Sequence, residues 1–302
     1  MDTVDIKVGF RCNNKCLFCI QDDKRNKYPD RVSKEILDFL KKGRNEGRKK
    51  VVFTGGEPTF RPKLLSEWVR CAKKNGYSII QVQTNGRIFS YVDYCKEIIS
   101  AGANEFGLAL HGSSAAIHDR LTQVPGSFDQ TTRGIKNLRF FKQRVIINSV
   151  VNKINYKDLP SLAKLLVSLR VDQFQLAFMH INRTIADNEE MVKKMVPRIS
   201  AAMPYIKKAL DIGIRAGASC MTEAIPYCCM TNYEDLIAEK IIPQAHVFDA
   251  DVDIEEYSKY RKEEGKTKGP ACKKCRSNKI CEGPWREYPQ IFGWEEFRPI
   301  EK

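Results

Sequence analysis

The chain has 302 residues, is 42% hydrophobic and carries a formal charge of +14. That length affords a sizeable core and excludes both a disordered tract and a miniature disulfide-stapled domain. No apolar run approaches the roughly 20 residues of a membrane span, and the opening MDTVDIKVGF alternates like a strand rather than reading as an export signal, so we expect a soluble, cytoplasmic protein with no membrane partner. The basic residues are spread along the chain, and the longest run, KKGRNEGRKK, joins a helix to a strand. This pattern reads as a solvated face, and nucleic acid is not the expected partner.

In chain order, strands are predicted at DIKVGF, KVVFTG, SIIQVQT, EFGLAL, RVIINSVV and QFQLAFM, each a short β-branched or aromatic run bounded by turn residues. Amphipathic segments fall between them: SKEILDFLKK with Ser33 as candidate N-cap, KLLSEWVRCAKKNG, YVDYCKEIISAG, QTTRGIKNLRFF and LPSLAKLLVSL. This alternation predicts an α/β fold, a parallel sheet wound as a partial (β/α)6 TIM-like barrel. The polar or glycine-rich stretches GFRCNNKC, TGGEPT, QTNG, LHGSS and NSVVNKIN close successive strands and should share the rim where barrel active sites form. A long helix is expected from Glu189 to Gly213, then a hairpin of IRAGASC with AIPYCC, then a segment rich in cysteine, glycine, proline and aromatics. Too small to bury its own core, that segment reads as an appendage built on a metal centre. The expected division is residues 1–213 for the barrel and 214–302 for the appendage.

Eleven cysteines in a reducing compartment are not a disulfide framework. Nine of them cluster, at 12, 16 and 19, at 220, 228 and 229, and at 272, 275 and 281, whereas Cys71 and Cys95 lie in predicted helices as core residues. Thiolates select zinc or iron–sulfur clusters. Cys12, Cys16 and Cys19 have no fourth partner nearby, and three ligands on a four-iron cube leave one iron open for a small molecule. His111, His118 and His180 fit core or surface roles better than ligation.

The spacing Cys12-x3-Cys16-x2-Cys19 with Phe18 before the last cysteine, followed by TGGEPT at 54–59, resembles the two hallmarks of the radical S-adenosylmethionine (SAM) superfamily, in the family's order. The resemblance implies a SAM-binding 4Fe–4S cluster on those three cysteines, reductive cleavage of SAM to a 5'-deoxyadenosyl radical, and hydrogen abstraction from substrate. It implies that Gly55 and Gly56 allow close backbone approach to the SAM amino group, and that Glu57 orients the loop or accepts from that group. Thr84, Asn85 and Asn148 would line the SAM pocket, a reading that competes with ordinary turn and strand-end chemistry.

Cys272-x2-Cys275-x5-Cys281 is similar to the centre of the SPASM domain, although Trp285 stands where a full SPASM domain has its next cysteine. One second, auxiliary 4Fe–4S cluster of the shortened Twitch type is therefore expected, with Cys228 as fourth ligand; zinc on the same four thiols is the alternative. Cys220 and Cys229, left over, are the expected hydrogen donors to a substrate radical. Four protein thiolates on the auxiliary cluster would exclude substrate ligation there.

NSVVNKIN is similar to the fifth-strand segment of the molybdopterin-precursor cyclases, but the ending Glu301-Lys302 lacks their Gly-Gly, which argues against that activity. With Cys12 so near the start and no leader-recognition domain expected before it, the substrate is expected to be a small molecule, or a peptide delivered by another protein. Flavodoxin or ferredoxin is the expected electron donor. An RNA-modifying enzyme and a non-catalytic electron-transfer protein are the competing classes; the second has no use for TGGEPT.

Overall fold

The computed structural model describes residues 3–181, 183–250 and 252–301. Seven parallel strands carry the fold: β1 (Thr3–Lys7), β2 (Lys50–Thr54), β3 (Ile79–Thr84), β4 (Glu105–Ala109), β5 (Arg144–Val151), β6 (Gln173–Phe178) and β7 (Ser219–Glu223). They lie side by side in sequence order, and β8 (Ala245–Phe248) adds to the outer edge of β1, also parallel, followed by antiparallel β9 (Asp253–Ile254). The order runs from β7 to β9 without closing, as a partial barrel requires.

The helices between strands are α1 (Ser33–Asn45), α2 (Pro62–Lys74), α3 (Val92–Ala101), α4 (Ala115–Thr122), α5 (Ser127–Phe140) and α6 (Leu159–Ser168). After β6 come α7 (Arg183–Ala186), α8 (Glu189–Met195) and α9 (Ile199–Arg215), and the C-terminal segment holds the short α10 (Tyr257–Tyr260) and α11 (Glu287–Phe292). Strand periodicity sorts the side chains. On β1, Val4 and Ile6 are fully buried against the helices, whereas Asp5 and Lys7 face the barrel interior, where Lys7 Nζ donates to Asp5 Oδ1 at 3.1 Å and to Thr54 Oγ1 at 2.9 Å. The apolar core therefore sits between sheet and helices and leaves the barrel interior polar.

Four expectations change. The residues expected to pair as a hairpin do not: 219–223 pair parallel to β6, and Tyr227–Cys229 form one tight helical turn. Their apolar positions seat β7 on the sheet, which extends past residue 213. The long helix is broken between α8 and α9 at Pro197, whose ring and missing N–H end the helix before it. Ser33 is the first helical residue rather than the cap: its Oγ accepts from Trp68 Nε1 at 3.1 Å, while Glu35 Oε2 accepts from the backbone N–H of Val32 at 3.0 Å. Finally, α4 was not foreseen as an element separate from α5.

The C-terminal segment is mostly turns and docks on the barrel through aromatics. Tyr288 is 1% exposed; its Oη accepts from Ile199 N at 2.7 Å and donates to Glu296 Oε1 at 3.1 Å. Glu296 Oε2 also accepts from Ser200 N at 2.8 Å, so a carboxylate from the segment satisfies the first turn of α9.

Candidate active site

Strands β1 to β7, with the loops after all of them but β5, border one cavity of about 500 Å³, a size suited to a small ligand. At one end lie Cys12, Cys16 and Cys19. Their loop is fixed to the end of α4 by Lys15 N to Thr122 O (2.9 Å) and Leu17 N to Leu121 O (3.0 Å). Phe18 tucks beneath, edge-on to His111 with ring centroids 4.8 Å apart. Asn14 N donates to Cys12 Sγ at 3.3 Å and Arg25 Nη2 to Cys19 Sγ at 3.5 Å. Burial pushes the Cys12 thiol up to about 11, with Glu57 adding to it, and the Cys16 thiol up to about 12, with Cys19 and Cys12 adding to it. Such mutual electrostatic pressure is what a cationic metal centre relieves.

Glu57 ties three loops together. It is 4% exposed, and its carboxylate accepts four hydrogen bonds: Thr59 N (3.0 Å), Thr59 Oγ1 (2.6 Å), Thr84 Oγ1 (2.6 Å) and Asn85 N (2.7 Å). Its backbone N–H donates to Arg11 O at 2.8 Å. Asn85 Nδ2 then donates to Asn13 Oδ1 (2.6 Å), and Arg87 Nη1 to Asn13 O (2.7 Å) and Asn14 Oδ1 (2.9 Å). Of the two expected roles of Glu57, loop orientation is the one these bonds serve. Gly55 and Gly56 border the cavity, and a second constraint acts on their backbones. A Cβ on Gly55, which has φ +126°, would stand 2.2 Å from Gly9 O, and one on Gly56 would stand 2.3 Å from Arg11 O. Their close approach is to the thiol loop's own backbone.

Asn148 on β5 borders the cavity, and its Oδ1 is buried without a hydrogen-bond partner, an acceptor waiting for a donor. Thr84 and Asn85 border the same end. Three thiols, this orphan acceptor and open volume fit a 4Fe–4S cluster carrying SAM. His111 and His180 border the cavity; burial lowers His111 to about 3 and His180 to about 4, so both are neutral. His118 lies behind His111 and is also lowered, to about 4, by burial.

A second set of thiols, Cys228, Cys272, Cys275 and Cys281, lines a separate space of about 20 Å³ in the C-terminal segment. Backbone N–H groups of Ile300 and Gly283 donate to Cys275 Sγ and Cys281 Sγ, each at 3.4 Å. The donor set fits a four-thiolate iron–sulfur cluster or zinc; the space as it stands is about the size of one water. Among the described residues no three His, Cys, Asp or Glu side chains close around a single-ion position.

Cys220 and Cys229 border neither space. Cys220 points from β7 into the apolar layer toward Leu210 O of α9, 3.6 Å away, and burial raises its thiol to about 11. Cys229 hydrogen-bonds to Cys228, which lowers the Cys228 thiol and raises its own. Neither faces the cavity, so the expected hydrogen-donor role is withdrawn. Cys95 is fully buried, as expected, and Cys71 half-buried.

Sequence reasoning passed over the middle of the cavity. Gln81, Gln83, Gln175 and Glu223 border it, and the available signal was a glutamine or glutamate at alternate positions of strands in a buried parallel sheet. Trp285 also borders it, with Nε1 donating to Phe178 O at 3.3 Å and its ring stacked on His180 at 4.2 Å. The residue that stands in place of a cysteine is thus part of the cavity wall.

Comparison with known proteins agrees with this geometry. Among curated proteins, a probable GTP 3',8-cyclase of Saccharolobus islandicus is 31% identical over 181 residues, 60% of this chain and 58% of that protein. An Fe-coproporphyrin III synthase of Methanosarcina barkeri is 28% identical over 175 residues, 57% of this chain and 42% of that protein. The chain thus spans less than two thirds of the length of these relatives. Among solved structures, Streptococcus suis SuiB bound to the precursor peptide SuiA matches 99% of this chain and 75% of that one with TM-score 0.69. anSMEcpe with bound AdoMet matches 95% and 90% with TM-score 0.71. Both are 16% identical and share the fold. Residues 6–166, more than half of the chain and including both sequence hallmarks, match the Radical SAM superfamily, and the chain belongs to that superfamily.

Proposed function

We propose that this protein is a radical SAM enzyme that abstracts hydrogen from a small polar molecule or peptide, leading to oxidation, epimerisation or bond formation at carbon. The observation that carries the reading is a single cavity with three thiols at one end and an amide-rich, otherwise unassigned space at the other. Cys12, Cys16 and Cys19 would hold the 4Fe–4S cluster. Thr84, Asn85, Asn148 and the backbone of Gly55 and Gly56 would border SAM, and Glu57 would position their loops. When bound, this pair of cofactors supplies one-electron reductive cleavage of SAM and a hydrogen-abstracting 5'-deoxyadenosyl radical. The protein's own part is to exclude water and fix the substrate carbon within reach.

Residues 214–302 act in this reading as an auxiliary unit of SPASM or Twitch type, functionally distinct from 1–213 although β7 to β9 join the barrel sheet. Cys228, Cys272, Cys275 and Cys281 would hold one auxiliary 4Fe–4S cluster, closed to substrate by its four thiolates. Peptide substrates are supported by the shared fold with SuiB, which binds the precursor peptide SuiA, and with anSMEcpe, which binds the Cp18Cys peptide. Small-molecule substrates are supported by the GTP 3',8-cyclase and Fe-coproporphyrin III synthase relatives. A flavodoxin or ferredoxin would deliver the electron in the cytoplasm. Among the described residues no helix is long and apolar enough to cross a membrane.

Anaerobic reconstitution followed by iron and sulfide analysis, then dithionite and SAM, tests the reading. About eight irons, with 5'-deoxyadenosine formed by wild type and not by Cys16→Ala, are expected. Zinc with about four irons would make the auxiliary unit structural; no iron and no cleavage would overturn the reading.

A further inference from the structure

Glu223 ends β7 beside Ala177 of β6 and borders the cavity, with a quarter of its side chain accessible. Gln175 Nε2 donates to its Oε2. Its Oε1 makes no hydrogen bond among the described residues. The nearest cation, Arg261 Nη1, stands 4.0 Å from Oε1 because that guanidinium is held by Glu282, with Nε to Oε2 at 3.0 Å and Nη2 to Oε1 at 2.8 Å. Lys266 is 4% exposed, and its Nζ lies over the Trp285 ring, 3.8 Å from the centroid, without a hydrogen-bond partner. Glu239 completes the group, its Oε1 accepting from Ala224 N at 2.7 Å and its Oε2 buried and unpartnered.

Three carboxylates, Glu223, Glu239 and Glu282, thus surround two basic side chains, Arg261 and Lys266, and burial lowers the Lys266 ammonium below its ordinary range. One negative charge is left over, and Glu223 is the member open to the cavity. A partly buried carboxylate whose nearest counter-ion is held by another carboxylate is costly, and burial, with Glu239 next, raises the Glu223 carboxyl above its ordinary range. The other cavity groups do not supply the missing cation. His180 is neutral, Lys7 is bound to Asp5 and Thr54, and Arg25 is engaged at the thiol loop with Asn14 O and Cys19 Sγ.

We infer that Glu223 anchors a cationic nitrogen of the substrate, a primary ammonium borne by a small amine or a lysyl side chain, with Gln175 steadying the carboxylate and Trp285 on His180 forming the adjacent wall. This rests on reading the cavity as the substrate site of a radical SAM enzyme. A charge-assisted hydrogen bond in a desolvated site discriminates strongly against a neutral isostere. The carboxylate acts by binding, so its signature is in affinity.

The test is anaerobic equilibrium dialysis of the reconstituted full chain with saturating SAM. Two matched pairs serve as probes: hexylamine against 1-hexanol, and acetyl-Gly-Lys-Gly-amide against acetyl-Gly-norleucine-Gly-amide. In at least one pair the ammonium member should bind about tenfold more tightly or better, and the pair that responds identifies the source as small amine or peptide. Glu223→Gln should bring that pair within about twofold, whereas Glu223→Asp should keep the preference at reduced affinity; thermal melts report that each variant is folded. No preference in either pair with wild type, no measurable binding of either ammonium probe, or a preference that survives Glu223→Gln overturns the inference. Failure of wild type to retain SAM in the same cells counts instead against the radical SAM reading.

Discussion

The two thiol sets differ in what surrounds them more than in their donor atoms. Cys12, Cys16 and Cys19 stand at the end of a cavity of about 500 Å³, on a loop held from outside by Glu57, Asn85 and Arg87. Cys228, Cys272, Cys275 and Cys281 enclose about 20 Å³ in a turn-rich segment with little other regular structure. The first set has open volume beside it; the second lines a small closed space. Open ligation suits chemistry and closed ligation suits structure or electron transfer, so the same residue type serves two purposes according to how many neighbours converge.

The sharpest way to break this contrast is to remove one thiol from each set. Cys16→Ala should abolish 5'-deoxyadenosine formation, a loss of at least about 10³-fold by analogy with the removal of an essential catalytic group, while leaving the melting temperature nearly unchanged. Cys275→Ser should do the reverse in stability: loss of a bound metal centre from a segment with few other restraints should lower its unfolding free energy by several kcal/mol, seen as an early transition and faster proteolysis within residues 255–301. Equal thermal effects of the two variants would erase the distinction.

Next in size is Gly55→Ala. The added Cβ meets Gly9 O at 2.2 Å in a left-handed backbone, so we expect a destabilisation of about 3 kcal/mol or more, read by denaturant unfolding, together with loss of SAM binding. Glu57→Gln should cost about 2 kcal/mol, because one carboxylate oxygen becomes an N–H₂ facing the donors that carboxylate now accepts. Through the loosened thiol loop it should weaken SAM binding about tenfold, as measured by equilibrium dialysis.

Most of the fold was legible from alternation, because a parallel sheet covered by helices writes its strands and helices as distinct periods. The gathering of both thiol sets was legible from spacing, since cysteines a few residues apart on one loop stay together when the chain folds. What stayed illegible was tertiary. Nothing local marks residues 219–223 as a seventh parallel strand, and only the fold turns Cys220 toward Leu210 and away from the cavity. Gln81, Gln83, Gln175 and Glu223 were written in strands as polar residues, but their meaning depends on the interior being a cavity. Gly55 and Gly56 were read for ligand approach, and only the fold adds their backbone contact with the thiol loop.

The smallest expected effect concerns the joint between the two regions. Glu296, though buried, is held below the usual carboxylate range by donors from Ser200, Arg198 and Tyr288. A carboxylate depressed in the folded state contributes stability that is present above its unfolded pKa, about 4.3, and is lost as pH falls through the folded value. Glu296→Gln should therefore cost about 1 kcal/mol at pH 7 and progressively less below pH 4, by urea titration across that range. An undiminished cost at pH 3 would contradict the assignment.

Electron paramagnetic resonance of the dithionite-reduced protein before and after SAM distinguishes an open thiol set from a closed one. Two iron–sulfur signals are expected: one that changes on SAM addition and is missing in Cys16→Ala, and one that is indifferent to SAM and missing in Cys275→Ser. A SAM-induced change in the signal that Cys275→Ser removes, or no change in the signal that Cys16→Ala removes, would contradict that expectation.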